Sequence, residues 1–183
     1  GSVVTWCFGH LLEQAEPDAY LPDDVPRTKK GSKVWRFEDL PIYPKNWKLL
    51  PKNDKGVKKQ LATIGKLLKK ASLVVHAGDP DREGQLLVDE VLEHFRYTGR
   101  VQRFWVSAQD SASIRKGLTN LRDNETFDGM RLAALGRSRA DWLLGMNLSR
   151  AYTLARQAQG KKELIAVGRV QTSTLALVAK RDV

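Results

Sequence analysis

The sequence has 183 residues and a mass of 20.6 kDa, which suits one domain of ordinary size or slightly more. Hydrophobic residues make up 42%, charged residues make up 28%, and mean hydropathy is −0.42, a composition that excludes a disordered chain and a membrane-spanning one. The single cysteine, Cys7, excludes an internal disulfide and a cysteine-rich metal cluster. These exclusions leave an intracellular globular protein with a net charge of +10.

The positive charge falls in two blocks on either side of an acidic centre. Residues 23–70 carry 14 basic and 5 acidic side chains, and residues 131–183 carry 10 basic and 3 acidic ones. Residues 71–130 carry 7 basic and 10 acidic side chains. Basic surface attracts polyanions, and clustered carboxylates hold divalent metal ions. The pattern favours a nucleic-acid-binding protein with a metal site, and a merely solvated basic surface is the alternative.

The first two thirds of the chain alternate between strand and helix patterns. Residues 17–56 contain six of the seven prolines and are predicted to be irregular, with at most one short strand. Apolar runs and helical apolar spacing predict the following regular elements, with Ser111 as a candidate N-cap. Strands are predicted at 3–8, 72–77 and 101–106, and helices at 57–71, 82–95 and 111–121. This alternation predicts an α/β fold with a parallel sheet.

Beyond about residue 124 the strand patterns stop. A long helical pattern covers residues 127–159, and we expect a break near Gly129, Gly136 or Gly145. A loop is predicted at 160–163, and a last helix from about Gly168. We therefore place a domain boundary at this point, with residues 1–124 in the first domain and 125–183 in the second.

The sharpest local feature is the run HAGDPDREG at residues 76–84, where a predicted strand ends and a helix begins. Ligands bind at this edge of open α/β sheets. Asp79 and Asp81 can point the same way, and Glu83 in the first helical turn can join them. Three such carboxylates repel one another unless a cation intervenes, and Mg²⁺ suits them. Arg82 is a candidate partner for these acids or for a phosphate.

Two other interpretations of this run stay open at this point. Acidic residues at a helix N-terminus favourably complement the helix dipole without binding a metal. An Asp-x-Asp pair is also found around the aspartyl nucleophile of phosphatases, although Arg82 after the second aspartate disfavours that chemistry.

The run HAGDPDREGQLLVDEVL resembles the acidic motif of the Toprim domain in type IA DNA topoisomerases, closest to the bacterial topoisomerase III branch. Three further segments support the resemblance, which extends over residues 3–182. VVTWCFGHLLEQAEPDAY resembles the strand and Gly-His-Leu turn upstream of that motif. RSRADWLLGMNLSRAYT at 137–153 resembles the helix that approaches the DNA strand. AVGRVQTSTLALVAKRD at 166–182 resembles a Val-Gly-Arg-Val-Gln-Thr-Pro motif, with Ser173 in place of the proline.

The resemblance implies a Toprim-like, Rossmann-like parallel sheet flanked by helices and followed by a mainly helical segment. It implies an ATP-independent enzyme that cleaves, passes and rejoins single DNA strands through a 5′-phosphotyrosine link. Asp79, Asp81 and Glu83 would hold Mg²⁺ and help to position the scissile phosphate. A cytoplasmic location on the bacterial nucleoid or on a plasmid is expected, with no membrane contact. The candidate DNA contacts are His10, Arg82, Arg137, Arg139, Arg150, Arg169, Gln171 and Thr172.

Two motifs of that family have no match here. Nothing matches the Glu-Lys strand that opens the Toprim domain, and no tyrosine has the Tyr-Pro-Arg context of the nucleophile. We therefore expect a fragment that needs the remaining domains of the parent enzyme and does not cleave or relax DNA alone. A Toprim primase or nuclease, or a non-catalytic nucleic-acid-binding module, is the alternative, and the segments RSRADWLLGMN and GRVQTSTLAL disfavour it.

Several single residues allow both a structural and a functional interpretation. His76 and Cys7 are expected to be buried structural residues, and Trp142 is expected in a core rather than stacked on a base. His10 is a structural histidine or a phosphate contact. Arg139 and Arg150 are three helical turns apart, so they share a face that either tracks phosphates or is simply solvated.

Overall fold

The structure is a computed structural model that describes residues 1–182, and the backbone forms two compact units. The first unit consists of residues 1–13 and 49–136, and the second consists of residues 14–48 and 137–183. No helix among the described residues is long and apolar enough to cross a membrane.

Among residues 1–182, five short strands form two sheets. Strands β1 and β2 pair in a two-stranded sheet, and the other three form a sheet of order β3-β4-β5. Strands β3 and β4 run parallel with Leu73 opposite Arg100, whereas β4 and β5 are antiparallel. The strands are β1 (Leu12–Gln14), β2 (Leu49–Pro51), β3 (Leu73–His76), β4 (Arg100–Arg103) and β5 (Arg122–Asp123). A parallel pair within a mixed α/β arrangement confirms the predicted fold class.

Three helices accompany these strands: α1 (Lys55–Leu68), α2 (Arg82–His94) and α3 (Ser111–Thr119). Their limits lie within three residues of the predicted ones, because apolar residues at helical spacing define the buried face. The main core cluster of the first unit contains three residues of α1 at that spacing, Val57, Leu61 and Ile64. They pack with Leu11, Leu12 and Val91.

The N-cap of α3 differs from the predicted one. The carboxylate of Asp110 accepts hydrogen bonds from the backbone N–H groups of Ala112 and Ser113, so Asp110 rather than Ser111 caps the helix. An aspartate accepts these bonds as well as a serine does, and its negative charge also suits the positive end of the helix dipole.

The predicted strand at residues 3–8 is wrong. This segment pairs with no strand among residues 1–182, and the side chains of Val3, Val4 and Trp6 are 69%, 87% and 66% exposed. Within this segment, the carbonyl oxygen of Trp6 accepts its hydrogen bond from a side chain, the Nε2 of Gln60. β-branched residues supply strand propensity, but a strand forms only where a neighbouring strand takes up its backbone hydrogen bonds.

A single helix, α4 (Asp128–Ala158), accounts for the long pattern that follows, and α5 (Arg169–Arg181) ends the described chain. The expected glycine break does not occur, because α4 continues through Gly129, Gly136 and Gly145. A helical glycine costs only about 1 kcal/mol relative to alanine, which a helix of 31 residues tolerates.

The core of the second unit is aromatic. Trp142 is only 7% exposed, and its indole N–H donates to the Ala15 carbonyl oxygen at 3.1 Å. Its ring meets the rings of Tyr20 and Trp47 edge to face, with centroids 5.5 and 5.3 Å apart. The expectation that Trp142 is a core residue is therefore confirmed.

Candidate functional site

The candidate site is built on residues 77–83, which we call the acidic turn. They comprise the loop between β3 and α2 and the first two residues of α2. Asp79, Asp81 and Glu83 all lie exposed on it. Asp81 also caps α2, since its Oδ1 accepts a hydrogen bond from the Gly84 N–H at 2.7 Å. Carboxylate capping of the helix is therefore present, and it engages one of the two oxygens of a single acid.

Two glycines, Gly78 and Gly84, allow the backbone of residues 78 and 79 to pack closely against the first turn of α2. A Cβ added to Gly84 would lie 2.5 Å from the Asp79 carbonyl oxygen, and one added to Gly78 would lie 2.5 Å from the Gly84 carbonyl oxygen. No side chain fits at either position, because the nearest atom in each case is a backbone atom that cannot swing away. The backbone carrying Asp79 is thus fixed by direct packing.

A fully buried arginine, Arg103 at the end of β4, forms hydrogen bonds to the backbone of the acidic turn. Its guanidinium lies 4.8 Å from the centre of the Trp105 ring. Burial lowers the pKa of Arg103 to about 10, so the group stays charged at neutral pH. It donates to the side-chain oxygen of Gln85 at 2.8 Å and to the carbonyl oxygens of His76, Gly78, Asp79 and Phe104 at 3.1, 2.7, 2.6 and 2.7 Å.

Arg103 is in turn oriented by a buried polar network. Gln85, which is 0% exposed, donates to Asp89 at 2.7 Å and to Asn124 at 2.9 Å. Asn124 donates to the second oxygen of Asp89 at 2.9 Å, so each member is bonded. Sequence reasoning missed this network, although two polar residues inside the strand pattern VQRFWV and an aspartate four residues after Gln85 were available signals.

His76 is 1% exposed, which confirms the expectation that it is a buried residue. Its Nδ1 accepts a hydrogen bond from the Gly78 N–H at 3.2 Å, and its Nε2 lies 3.2 Å from the Gln85 carbonyl oxygen, to which it donates. This arrangement requires the neutral ring. Burial lowers the pKa of His76, and the charge of Arg103 lowers it further.

Acid is therefore expected to destabilise the first unit through His76. Below its ordinary pKa of about 6.5 the unfolded chain takes up a proton that the folded state refuses, so the free energy of unfolding should fall as pH falls through this range. Urea unfolding between pH 7 and pH 5, with the ring shifts of His76 followed by NMR, measures this. A His76 ring that protonates near pH 6.5 in the folded protein would contradict the expectation.

His10, two residues before β1, forms a hydrogen bond with α2. Its Nδ1 lies 2.7 Å from Oε1 of Glu90, and its Nε2 lies 3.9 Å from Oε2 of Glu83. The hydrogen bond to Glu90, a side chain only 7% exposed, raises the pKa of His10, and the negative charges of both glutamates add to the effect. The sequence allowed His10 to be either a structural histidine or a phosphate contact. The structure gives it a structural partner, Glu90, and its ring also approaches Glu83 of the acidic turn.

The acidic turn has the donor chemistry for a magnesium ion. No three His, Cys, Asp or Glu side chains among residues 1–182 form a group that could hold a metal ion by themselves. Mg²⁺, however, binds through one or two carboxylates and keeps several waters, to which substrate phosphates add. The exposed carboxylates of Asp79, Asp81 and Glu83 are hard oxygen donors of that kind, so they fit the ion chemically.

Arg139 and Arg150 in α4 do not form an exposed stripe, which corrects that expectation. Arg150 is 6% exposed, and its guanidinium lies 4.9 Å from the centre of the Trp35 ring and 3.4 Å from Asp18. Arg139 is half-buried, and its guanidinium lies 5.2 Å from the centre of the Trp47 ring. The arginines contact tryptophans because the stems and planar heads of arginine pack well on aromatic faces.

The other candidate DNA contacts lie at the surface. Arg169, at the start of α5, forms two hydrogen bonds with the carboxylate of Asp141 on α4, at 2.7 and 3.1 Å. This partner lowers the pKa of Asp141. The hydroxyl oxygen of Thr172 accepts a hydrogen bond from the N–H of Gly168, the residue before α5. The remaining exposed candidates are Arg82, Arg137 and Gln171.

The fold and the acidic turn together define an α/β domain of the Toprim class, followed by a helical segment. Residues 1–109 match the family model described as the Toprim domain, and residues 125–183 match the model described as DNA topoisomerase. The chain therefore belongs to the Toprim domain family.

The proteins to which this chain is similar include DNA topoisomerases. A DNA topoisomerase 3 of Vibrio cholerae is 50% identical over 100% of this chain, and one of Haemophilus influenzae is 47% identical over 98% of it. This chain spans 27% of the length of each. The solved structure of full-length topoisomerase I from Thermotoga maritima is similar over 96% of this chain and 25% of its own, with a TM-score of 0.58 and 25% identity.

Proposed function

We propose that this chain forms the metal-binding and strand-binding part of an ATP-independent enzyme that cleaves, passes and rejoins single DNA strands. The observation that carries the proposal is the acidic turn. It presents three exposed carboxylates at the end of β3, inside the segment that matches the Toprim model. The nucleophilic tyrosine of the 5′-phosphotyrosine link would come from the remaining domains of the parent enzyme, so no turnover is expected from this chain alone.

Asp79, Asp81 and Glu83 would hold the Mg²⁺ ion. When bound there, Mg²⁺ would supply positive charge to the scissile phosphate and its leaving oxygen. The residues of this chain set the geometry, since Arg103 and the two glycines fix the backbone from which Asp79 projects. His10 and Arg82 are placed beside the same acids and would contact the phosphate of the bound strand.

The strand-binding part is proposed to lie on α4 and α5. Arg137, Arg169, Gln171 and Thr172 belong to the segment that matches the DNA topoisomerase model, and each is exposed. Arg139 contributes to the proposed surface only through its unburied atoms. Arg150 is enclosed in the second unit and would act by holding Asp18 and Trp35 rather than by touching DNA. We assign residues 1–124 to the Toprim part and residues 125–183 to the helical part.

The metal assignment is tested by replacing Asp79 and Asp81 together by asparagine. Asparagine caps helices as well as aspartate does, so α2 should be retained while two anionic ligands are lost. In a Mg²⁺ titration followed by amide NMR, the wild-type chain should show shifts at residues 78–84, and the double variant should show none. The matched control, Asp24→Asn with Glu93→Gln, removes the same charge elsewhere and should keep the shifts. Mg²⁺-dependent shifts that persist in Asp79→Asn/Asp81→Asn would contradict the assignment.

A further inference from the structure

Helix α1 carries a set of lysines that the proposed function does not use. Six exposed lysines lie on the helix or directly after it, and no acidic residue occurs between residues 55 and 70. At 3.6 residues per turn, the four within the helix fall on one face, opposite Val57, Leu61 and Ile64 of the core. We call this set the lysine stripe: Lys55, Lys58, Lys59, Lys66, Lys69 and Lys70.

The lysine stripe has no carboxylate partner in the described part of the chain. No member of it forms an ion pair among residues 1–182, and Lys58 donates a side-chain hydrogen bond to Asn53 at 2.8 Å. A solvated helix face gains stability when acidic and basic residues alternate at a spacing of three or four. This face has lysines at that spacing instead, so the neighbours repel each other.

The placement along the helix also works against helix stability. Lys55 and Lys58 stand in the first turn of α1, where the helix dipole disfavours cations, and no acidic residue follows the N-cap there. The last three lysines stand where the dipole favours them. Helix stability therefore does not account for the lysines of the first turn, whereas attraction to a polyanion accounts for the whole set.

The chemistry of the lysine stripe selects the polyanion. Residues 55–70 contain no aromatic residue and no arginine. Single strands are held largely by stacking of bases on aromatic side chains, and residues 55–70 supply none. Lysine is a flexible point charge that tracks phosphates, and the stripe is about 22 Å long at 1.5 Å per residue. It therefore suits the dense, regular phosphate rows of a duplex.

We propose that the lysine stripe binds the phosphate backbone of double-stranded DNA without reading its sequence. The lysine stripe belongs to the first unit, whereas the arginines proposed above to bind a single strand through α4 and α5 belong to the second. It goes beyond the proposed function because it would hold duplex DNA, which strand cleavage by itself does not require.

The test compares two triple variants of the full chain that remove the same charge. Lys55→Gln/Lys59→Gln/Lys66→Gln removes half of the stripe, and Lys29→Gln/Lys30→Gln/Lys45→Gln removes three exposed lysines from the second unit. Binding of a labelled 20-base-pair duplex and of a 20-nucleotide single strand is measured by fluorescence anisotropy over a salt series. Glutamine is as good a helix former as lysine, so α1 should be retained, which circular dichroism checks.

The stripe variant should bind the duplex at least about tenfold more weakly at low salt, with a slope of log K against log salt smaller by about 2 to 3. Its affinity for the single strand, and both affinities of the control variant, should stay within about twofold of wild type. An equal loss in both variants, an unchanged duplex affinity, or an equal loss for single strand and duplex would each overturn the proposal. A wild-type chain that binds duplex through the stripe but shows no affinity for single strands would contradict only the proposed strand-binding function.

Discussion

Replacing Arg103 by methionine is expected to lower the free energy of unfolding by about 3 to 5 kcal/mol, because several acceptors lose their donor and each unsatisfied buried group costs about 1 to 3 kcal/mol. The guanidinium satisfies four carbonyl oxygens and the side chain of Gln85, and methionine satisfies none of them. Burial leaves these groups little access to replacement water, since Arg103 is 0% exposed. Urea unfolding followed by circular dichroism measures the loss.

Two further variants separate the role of the hydrogen bonds from that of the charge. Arg103→Lys keeps the charge but offers three donors on a single nitrogen instead of a planar fork, so an intermediate loss is expected. Arg122→Met is the matched control, because Arg122 is exposed and its guanidinium only lies over the Phe127 ring, 4.5 Å from the centre. A loss for Arg103→Met no larger than that for Arg122→Met would show that the buried bonds contribute little.

The second large effect is expected from Gly84→Ala. The added methyl group would lie 2.5 Å from the carbonyl oxygen of Asp79 and 2.6 Å from its backbone nitrogen. Because both atoms are backbone, the acidic turn must move away from α2, and overpacking of this kind costs about 1 to 3 kcal/mol. The amide resonances of Asp79 and Asp81 should shift in the NMR spectrum, and the midpoint of thermal unfolding should fall.

Gly136→Ala provides the control for this substitution. Nothing lies within 4 Å of a Cβ placed on Gly136 in the middle of α4. Alanine should there stabilise the helix by about 0.5 to 1 kcal/mol, because it has less conformational entropy to lose. If Gly84→Ala behaves like Gly136→Ala, the acidic turn is free to relax and the close approach does not constrain it.

Local patterns were sufficient for much of the fold. The helical spacing of Val57, Leu61 and Ile64 predicted α1 within three residues, and the short apolar run before the acidic turn predicted β3. The position of Asp79, Asp81 and Glu83 between a strand and a helix followed from the same patterns. These features depend on residues a few positions apart, so propensity and periodicity carry the necessary information.

The partners of the site residues depended on contacts between distant parts of the chain. Arg103 lies 24 residues beyond Asp79, whose carbonyl oxygen it binds, and His10 lies 80 residues before Glu90. Arg150 has the same local helical context as an exposed arginine, and only the position of Trp35 and Asp18 encloses it. No local pattern encodes such pairs, because either residue alone fits a solvated position equally well.

The sequence by itself determined the helices of the first unit, the acidic turn and the family to which the chain belongs. The tertiary structure alone decided that residues 3–8 form no strand, that Arg103 and Arg150 are buried, and that His10 contacts Glu90. The physical reason is the range of the interactions. Helices form from hydrogen bonds and apolar contacts within one or two turns, whereas strand pairing and burial of a charge require partners that only the folded chain brings together.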